Sequence, residues 1–419
     1  MAIFEAERTL VRAGRRLAAA GVAAAAIGCL GTDDGPTARI PGTRSDSIVE
    51  RAVAAPLVGS NYTHHSFAGC SWNGNGILRT YLASGVEEDV HQQLREMRRA
   101  GVESLRHIVW HMRDVAGQRW GVVPSRGGRL PEPFRSNLIA YLTQVRGAGF
   151  RRLTISFSPQ WTNSPLRDNY AATHFEENWA FIQDVRGLAV EHGPANVRFD
   201  LLNEGAPSDH APEQQRARLA EYLRRMWRRY TDTFGVGDVT VSVIAPEGRH
   251  DRGHRLQNLL TIVEESGAPP PTWFELHLNY HPAGVSWGLR YADSVLVARG
   301  LAQPLTIGET SYNDAAVAQA ISAFMDGSDR PLGEVTQWFR RAGAACEVSP
   351  PYEVDAFLTL RRATEESHRG AAVSNSSSSS SLASARISEL GWSFSDPSGA
   401  GLSPELLMRG RRGRRQSGA

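Results

Sequence analysis

The 419-residue chain contains no lysine, and all 46 of its basic side chains are arginine. That absence excludes several chemistries at once. A Schiff-base aldolase needs a lysine amine, pyridoxal phosphate is held through one, and a Walker-type phosphate loop closes on one. An excess of one charge is lacking too, with 46 basic against 44 acidic residues. No global field therefore points to nucleic acid, and no nucleic-acid partner is expected. The local excess, Arg409, Arg411, Arg412, Arg414 and Arg415, reads as a solvated tail ahead of a nucleic-acid or membrane-surface contact. Cysteine is scarce, with Cys29, Cys70 and Cys346 the three present.

What is present suits a large core: 41% of residues are hydrophobic and ten are tryptophan. The length would hold two ordinary domains, but a single α/β barrel routinely takes about 250 residues or more. Residues 1–30 have the form of an export signal. Arg8, Arg12, Arg15 and Arg16 precede a twelve-residue run, 17–28, of Ala, Val, Leu, Ile and Gly, which is too short to span a bilayer. Ala26-Ile27-Gly28-Cys29 resembles a bacterial lipobox, so Cys29 is a candidate for lipidation that would anchor the chain to a membrane. A secreted or cell-surface location in the bacterial envelope is the expectation. Residues 31–52 read as a linker, and 367–419, with the serine run Ser376 to Ser381, as a low-complexity tail that buries too little apolar area to order itself.

Between these, short apolar runs alternate with longer amphipathic ones, the pattern of βα units around a parallel sheet. Strands are predicted at 55–62, 102–110, 153–157, 197–202, 239–244, 273–280, 305–308 and 334–339. Helices are predicted at 87–100, 134–146, 175–192, 212–233, 255–265, 289–299 and 315–325, with a last one at 354–366. Eight units make the fold class α/β, a (β/α)8 TIM barrel over 53–366. An open doubly wound sheet is the alternative, but no GxGxxG follows the first strand to support a dinucleotide site. Cys70 and Cys346 follow the first and eighth strands, neighbours in a closed barrel, so a disulfide between them is expected in an oxidising compartment.

Two of these strands end on a carboxylate. Phe199-Asp200-Leu201-Leu202-Asn203-Glu204-Gly205 ends the fourth and Leu305-Thr306-Ile307-Gly308-Glu309 the seventh. A carboxylate there is expensive without a partner or a task; the plain alternative for Glu204 is a loop or cap residue ahead of the helix near Pro212. Two strand-end carboxylates about a hundred residues apart are what glycoside hydrolysis on a barrel requires.

On these two motifs the chain, over residues 53–345, resembles the clan A glycoside hydrolases, typified by family 5 cellulases and mannanases. The resemblance implies Asn203-Glu204 as the amide and acid/base, with Glu309 as nucleophile. It implies Arg106, late in the second strand, as the cation that keeps Glu309 ionised, Asn203 as the partner of a sugar 2-hydroxyl, and Trp338 as a stacking platform. The family ends its sixth strand with a His and a Tyr two residues apart. Here His277 and Tyr280 are three apart, so on a regular strand only one faces the axis, and Tyr280 is the better match. Where the family often has proline after the acid/base, this chain has Gly205.

Retention of anomeric configuration follows, with the carboxyl groups about 5–5.5 Å apart and Glu204 raised in pKa so that it begins protonated. No cofactor and no metal are implied; the partner is a carbohydrate and the chain a monomer. His107 is expected in the cleft beside Arg106, and Trp161, like Trp72 and Trp110, sits where it could stack on sugar. His107 and His111 are four apart on a strand, so helical zinc-site spacing does not apply. Glu247, ending the fifth strand, is a competing carboxylate. A catalytically silent carbohydrate-binding barrel and a metal-dependent hydrolase remain as alternative functions.

Overall fold

A computed structural model describes residues 55–66, 75–115, 121–248, 253–338, 340–342, 347–349 and 354–360. The signal-like segment, the linker, Trp72, all three cysteines and the Ser-rich and Arg-rich tail lie outside these residues.

Eight parallel strands form the centre: β1 Leu57–Asn61, β2 Ser104–Met112, β3 Arg152–Pro159, β4 Val197–Asp200, β5 in two halves Val239–Thr240 and Val243–Ile244, β6 Phe274–Leu278, β7 Leu305–Thr310 and β8 Leu332–Gln337. Each lies beside the next, and β8 returns to β1 with Leu57 opposite Glu334 and Ser60 opposite Gln337. The first half of β5 pairs with β4 and the second with β6, which closes the barrel. The halves are separated by Val241 and Ser242, because the Ser242 N–H leaves the ladder for the Asp200 carboxylate, 2.9 Å away.

The main helices are α1 Val86–Arg99, α2 Phe134–Gly147, α3 Ala172–His192, α4 Glu213–Phe234, α5 Arg255–Glu265, α6 Pro282–Ala298 and α7 Ala315–Gly327, with a four-residue helix, Ile77–Thr80, ahead of α1. Their apolar stripes face the barrel. On α4, Leu219, Tyr222, Leu223, Met226, Trp227 and Tyr230 are buried at the three- and four-residue spacing of one helix face. α6 starts seven residues ahead of the predicted 289. Its first turn begins at Pro282, and the His281 imidazole accepts from Gly284 N–H at 3.2 Å, so the proline sits where its missing N–H is harmless. Gly288 belongs to this helix for a packing reason: a Cβ there would lie 2.5 Å from Leu278 and 3.1 Å from Ala245.

The apolar core is the layer between barrel and helices. Leu153, Ile155 and Phe157 of β3, and Phe199 of β4, point into it. The alternate positions point to the barrel axis and are polar: Ser104, Arg106, Thr154, Ser156, Asp200, Thr240, Glu275, His277, Thr306, Glu334 and Thr336 are all buried. Barrel interiors are more often filled by branched apolar side chains. Here the axis carries charges that bond to one another, and Arg152 reaches Glu334 at 2.9 Å.

Phe199 fixes β4, the strand that delivers Glu204. Its ring lies 6.4 Å from that of Tyr230, with the Arg186 guanidinium 5.4 Å from its centroid. Phe199→Ala should lower stability by about 3–5 kcal/mol, read as an earlier urea midpoint with an unchanged denaturant slope; a shift under about 1 kcal/mol would show that the layer is not tightly packed there.

Candidate active site

Arg106 stands on β2 with its guanidinium on the barrel axis, and it is 1% exposed. Nε donates to Glu275 at 2.6 Å, and Nη1 donates to Glu309 at 2.9 Å and to Asn61 at 3.2 Å. Nη2 donates to Asn203 at 2.7 Å and to Asp200 and Ser156 at 3.1 Å each. One buried cation therefore ties β1, β3, β4, β6 and β7 together. A guanidinium can do this because its donors diverge in one plane and stay charged.

Asp200 holds the start of the turn that follows β4. It accepts from Ser242 Oγ at 2.7 Å and Ser156 Oγ at 2.6 Å, and from two main-chain N–H groups. Ser242 Oγ in turn accepts from Glu204 N–H at 2.8 Å. This contact holds Glu204 in a left-handed backbone conformation, φ +54°, which costs a side-chain-bearing residue about 1–3 kcal/mol. Gly205 N–H then closes the turn on the Leu202 carbonyl at 2.9 Å. A proline there, as in the resembled family, has no N–H to give. A Cβ at 205 would also lie 2.5 Å from the Leu202 side chain.

Glu309, on β7, is 4% exposed and accepts three hydrogen bonds, with the His277 imidazole close by as a fourth, charge-charge contact. Arg106 and His277 reach Oε1 at 2.9 and 3.4 Å, and Trp338 Nε1 and Asn279 Nδ2 reach Oε2 at 2.9 and 3.1 Å. Trp338 thus meets the carboxylate through its indole N–H. One oxygen of Glu204 and one of Glu309 lie within 4.8 Å of each other.

The sixth strand departs from expectation. Inward positions on β6 run Glu275, His277 and, just beyond it, Asn279, the strict alternation of a strand. His277 is therefore the residue that reaches the carboxylates, with Nδ1 3.1 Å from Glu204 and Nε2 3.4 Å from Glu275. Tyr280 falls on the opposite parity, and its hydroxyl donates to the Ala245 carbonyl at 2.9 Å. Alternation also corrects His107. With Arg106 inward, His107 must point outward, where it bonds the Tyr62 carbonyl at 2.9 Å and packs 5.1 Å from Tyr141. Burial pushes its pKa down to about 4. His111 also points outward, stacked 4.4 Å from Phe181. Glu247 is exposed and lies 3.5 Å from His281.

Protonation also differs from expectation. Burial alone would lower His277, but the Glu309 charge and the bonds to Glu204 and Glu275 push it up to about 9 against the repulsion of Arg106. Burial alone would raise Glu204, but the hydrogen bond and charge of His277, with Arg106 and Arg255, hold it below the ordinary carboxylate range. At neutral pH the proton expected on Glu204 therefore sits one hydrogen bond away, on His277. Glu275 is the residue that sequence reasoning passed over. It accepts from both Arg106 and His277, and it fits because residue 308 is glycine: a Cβ there would fall on Glu275 Oε1, with its Cδ 2.6 Å away. The alternation Phe274-Glu275-Leu276-His277-Leu278-Asn279 is the signal that could have found it.

Above the carboxylates lies a cavity of about 280 Å³ lined by Ile108, Trp110, Val122, Gln160, Trp161, Asn203, Glu204, Glu309 and Trp338. Trp161 is 39% exposed at its rim and also has positive φ, +45°. Glu204, His277 and Glu309 could by spacing hold a cation. However, the Glu309 oxygens are already engaged by Arg106, Asn279 and Trp338, and a protonated imidazole is no ligand.

A closed parallel barrel wrapped by alternating helices defines the fold as a (β/α)8 barrel, with carboxylates after β4 and on β7. Similar solved structures include the exo-β-1,4-mannosidase Op5Man5 from Opitutaceae bacterium strain TAV5, 16% identical with a TM-score of 0.50 over 75% of this chain. The chain spans 60% of that protein's length. A GH5_18 protein from Bifidobacterium longum subsp. infantis is 14% identical with a TM-score of 0.50, over 74% of this chain and 79% of its own. These likenesses are of fold. No family model and no curated relative matches the chain.

His277 should titrate near 9 by NMR of its ring protons, and Glu275→Gln should bring that midpoint down. The raised folded-state pKa, against 6.5 for a free imidazole, gives stability complete below pH 6.5 and lost as pH rises through about 9. A midpoint at or below 6.5 would contradict this arrangement.

Proposed function

We propose that the protein is a retaining glycoside hydrolase that cleaves β-linked sugars by double displacement. The observation that carries this reading is the close approach of the Glu204 and Glu309 oxygens beneath a tryptophan-rimmed cavity. Glu309, gripped by Arg106, Asn279 and Trp338, attacks the anomeric carbon and forms a glycosyl ester. Glu204 gives a proton to the leaving oxygen and later takes one from the incoming water. His277 is the reservoir: it passes the proton across 3.1 Å to Glu204 as substrate excludes water and charge builds on the leaving oxygen. Asn203, oriented by Arg106, meets the 2-hydroxyl of the sugar at the point of attack, and Trp161 and Trp338 flank the ring. Export to the bacterial envelope belongs to the same proposal and rests on the sequence of residues 1–30.

The Glu204, His277 and Glu309 spacing is the observation behind a second reading, a metal-dependent hydrolase. Chelation separates the two. Hydrolysis of aryl β-glycosides and β-linked polysaccharides should survive EDTA, vanish in Glu309→Gln, and fall about 10²–10⁴-fold in Glu204→Gln on sugar leaving groups. The alkaline limb of kcat/KM should lie near 9, where His277 loses its proton. Saccharide binding without hydrolysis in the wild type would instead mark a silent binding barrel, and loss of activity on chelation a metal enzyme.

A further inference from the structure

A second cavity of about 340 Å³ shares Asn203 and Glu204 with the first and is lined by neither Glu309 nor Trp338. It sits at the small end of the roughly 300–1,000 Å³ usual for ligand pockets. Two arginines from different helices line it, Arg216 of α4 and Arg255 of α5. Arg255 spends one nitrogen on the Ala206 carbonyl at 3.0 Å; it makes no direct ion pair among the described residues and acts on Glu204 through its charge alone. Arg216 comes within 3.9 Å of Asp209, but Asp209 is already bonded by His254 at 2.7 Å and Asn258 at 2.8 Å. The Arg216 Nε is buried with no acceptor among the described residues, while the side chain as a whole is 41% exposed. The one carboxylate lining the cavity is Glu204, which faces His277. The lining therefore carries two guanidinium groups against one carboxylate, with Asp209 beside Arg216 just outside it and with guanidinium donors left over.

We propose that this chamber receives the leaving-side sugar and that this sugar carries an anionic group, a carboxylate or a sulfate. The inference rests on the glycoside hydrolase reading for its direction: with Glu309 on one side of Glu204, the group that departs with Glu204's proton occupies the other. Two guanidinium groups suit a uronate or a sulfated sugar, because paired N–H donors match two oxygens of either group. A neutral sugar would leave the buried Nε of Arg216 without a partner, at the usual expense of an unmet donor. Specificity would then be set by the arginines, while the bond-breaking machinery stays that of Glu204 and Glu309.

The test is calorimetric binding of glucuronate, glucose 6-sulfate and glucose to the full chain, with Arg216→Gln and Arg255→Gln beside the wild type. At least one anion should bind about tenfold or more tightly than glucose, and each substitution should erase most of that gain. Added salt should weaken the anion and not glucose, a readout that needs no variant. The preferred anion assigns the substituent. Equal affinities, no binding of either anion, or anion binding indifferent to both substitutions would overturn the proposal. Neutral glycosides cleaved with no preference for an anionic leaving sugar would sink this inference alone. Anion binding in a protein that cleaves no glycoside would instead sink the hydrolase reading.

Discussion

The guanidinium of Arg106 is the contact on which the rest of the site depends. It is the one side chain bonded at once to Asp200, Asn203, Glu275 and Glu309, and those residues come from three strand ends that are far apart in sequence. Removing it would leave three buried carboxylates around an unfilled centre. Losing one partner of a buried ion pair typically costs about 3–5 kcal/mol, because the charge left behind is uncompensated. The barrel tolerates a polar axis because Arg106 answers Asp200, Glu275 and Glu309 and Arg152 answers Glu334, and the apolar work of folding is done outside, between strands and helices.

The same cluster links structure to chemistry. Four carboxylates, Asp200, Glu204, Glu275 and Glu309, surround two cations, Arg106 and His277. Arg106 keeps its charge under any condition of interest, whereas His277 can give its proton away. In the proposed mechanism the fixed cation positions and the labile one supplies protons. Glu275 sits between them and bonds both. Glycine at 308 is what gives it room, so a residue with no chemistry of its own sets the environment of the neighbouring Glu309.

Much of the fold was legible in the sequence. Apolar runs alternating with amphipathic ones fall on the eight strands and seven helices within a few residues, with α6 the exception. There Gly284 packs close to Tyr280 and Glu247, and Gly288 close to Leu278 and Ala245, so both glycines sit inside the helix for space. The strand-end carboxylates could be read because an apolar run ending on Glu is costly without a purpose. What was misread turns on parity. Arg106 and His107 cannot share a face, nor can His277 and Tyr280, and in each pair the inward residue is the one in phase with its neighbours. What could not be read is non-local. Asn61 reaches Arg106 from β1, Ser242 receives the Glu204 N–H from the gap in β5, and the proton on His277 depends on carboxylates from three strands.

The central claim is that Glu309 attacks the sugar directly, and the anomeric configuration of the first product tests it most directly. Proton NMR during turnover of an aryl β-glycoside should show the β-anomer formed first, with the α-anomer growing in only by mutarotation. An initial α-anomer would mean inversion by water, and it would contradict the account even if both carboxylates proved essential.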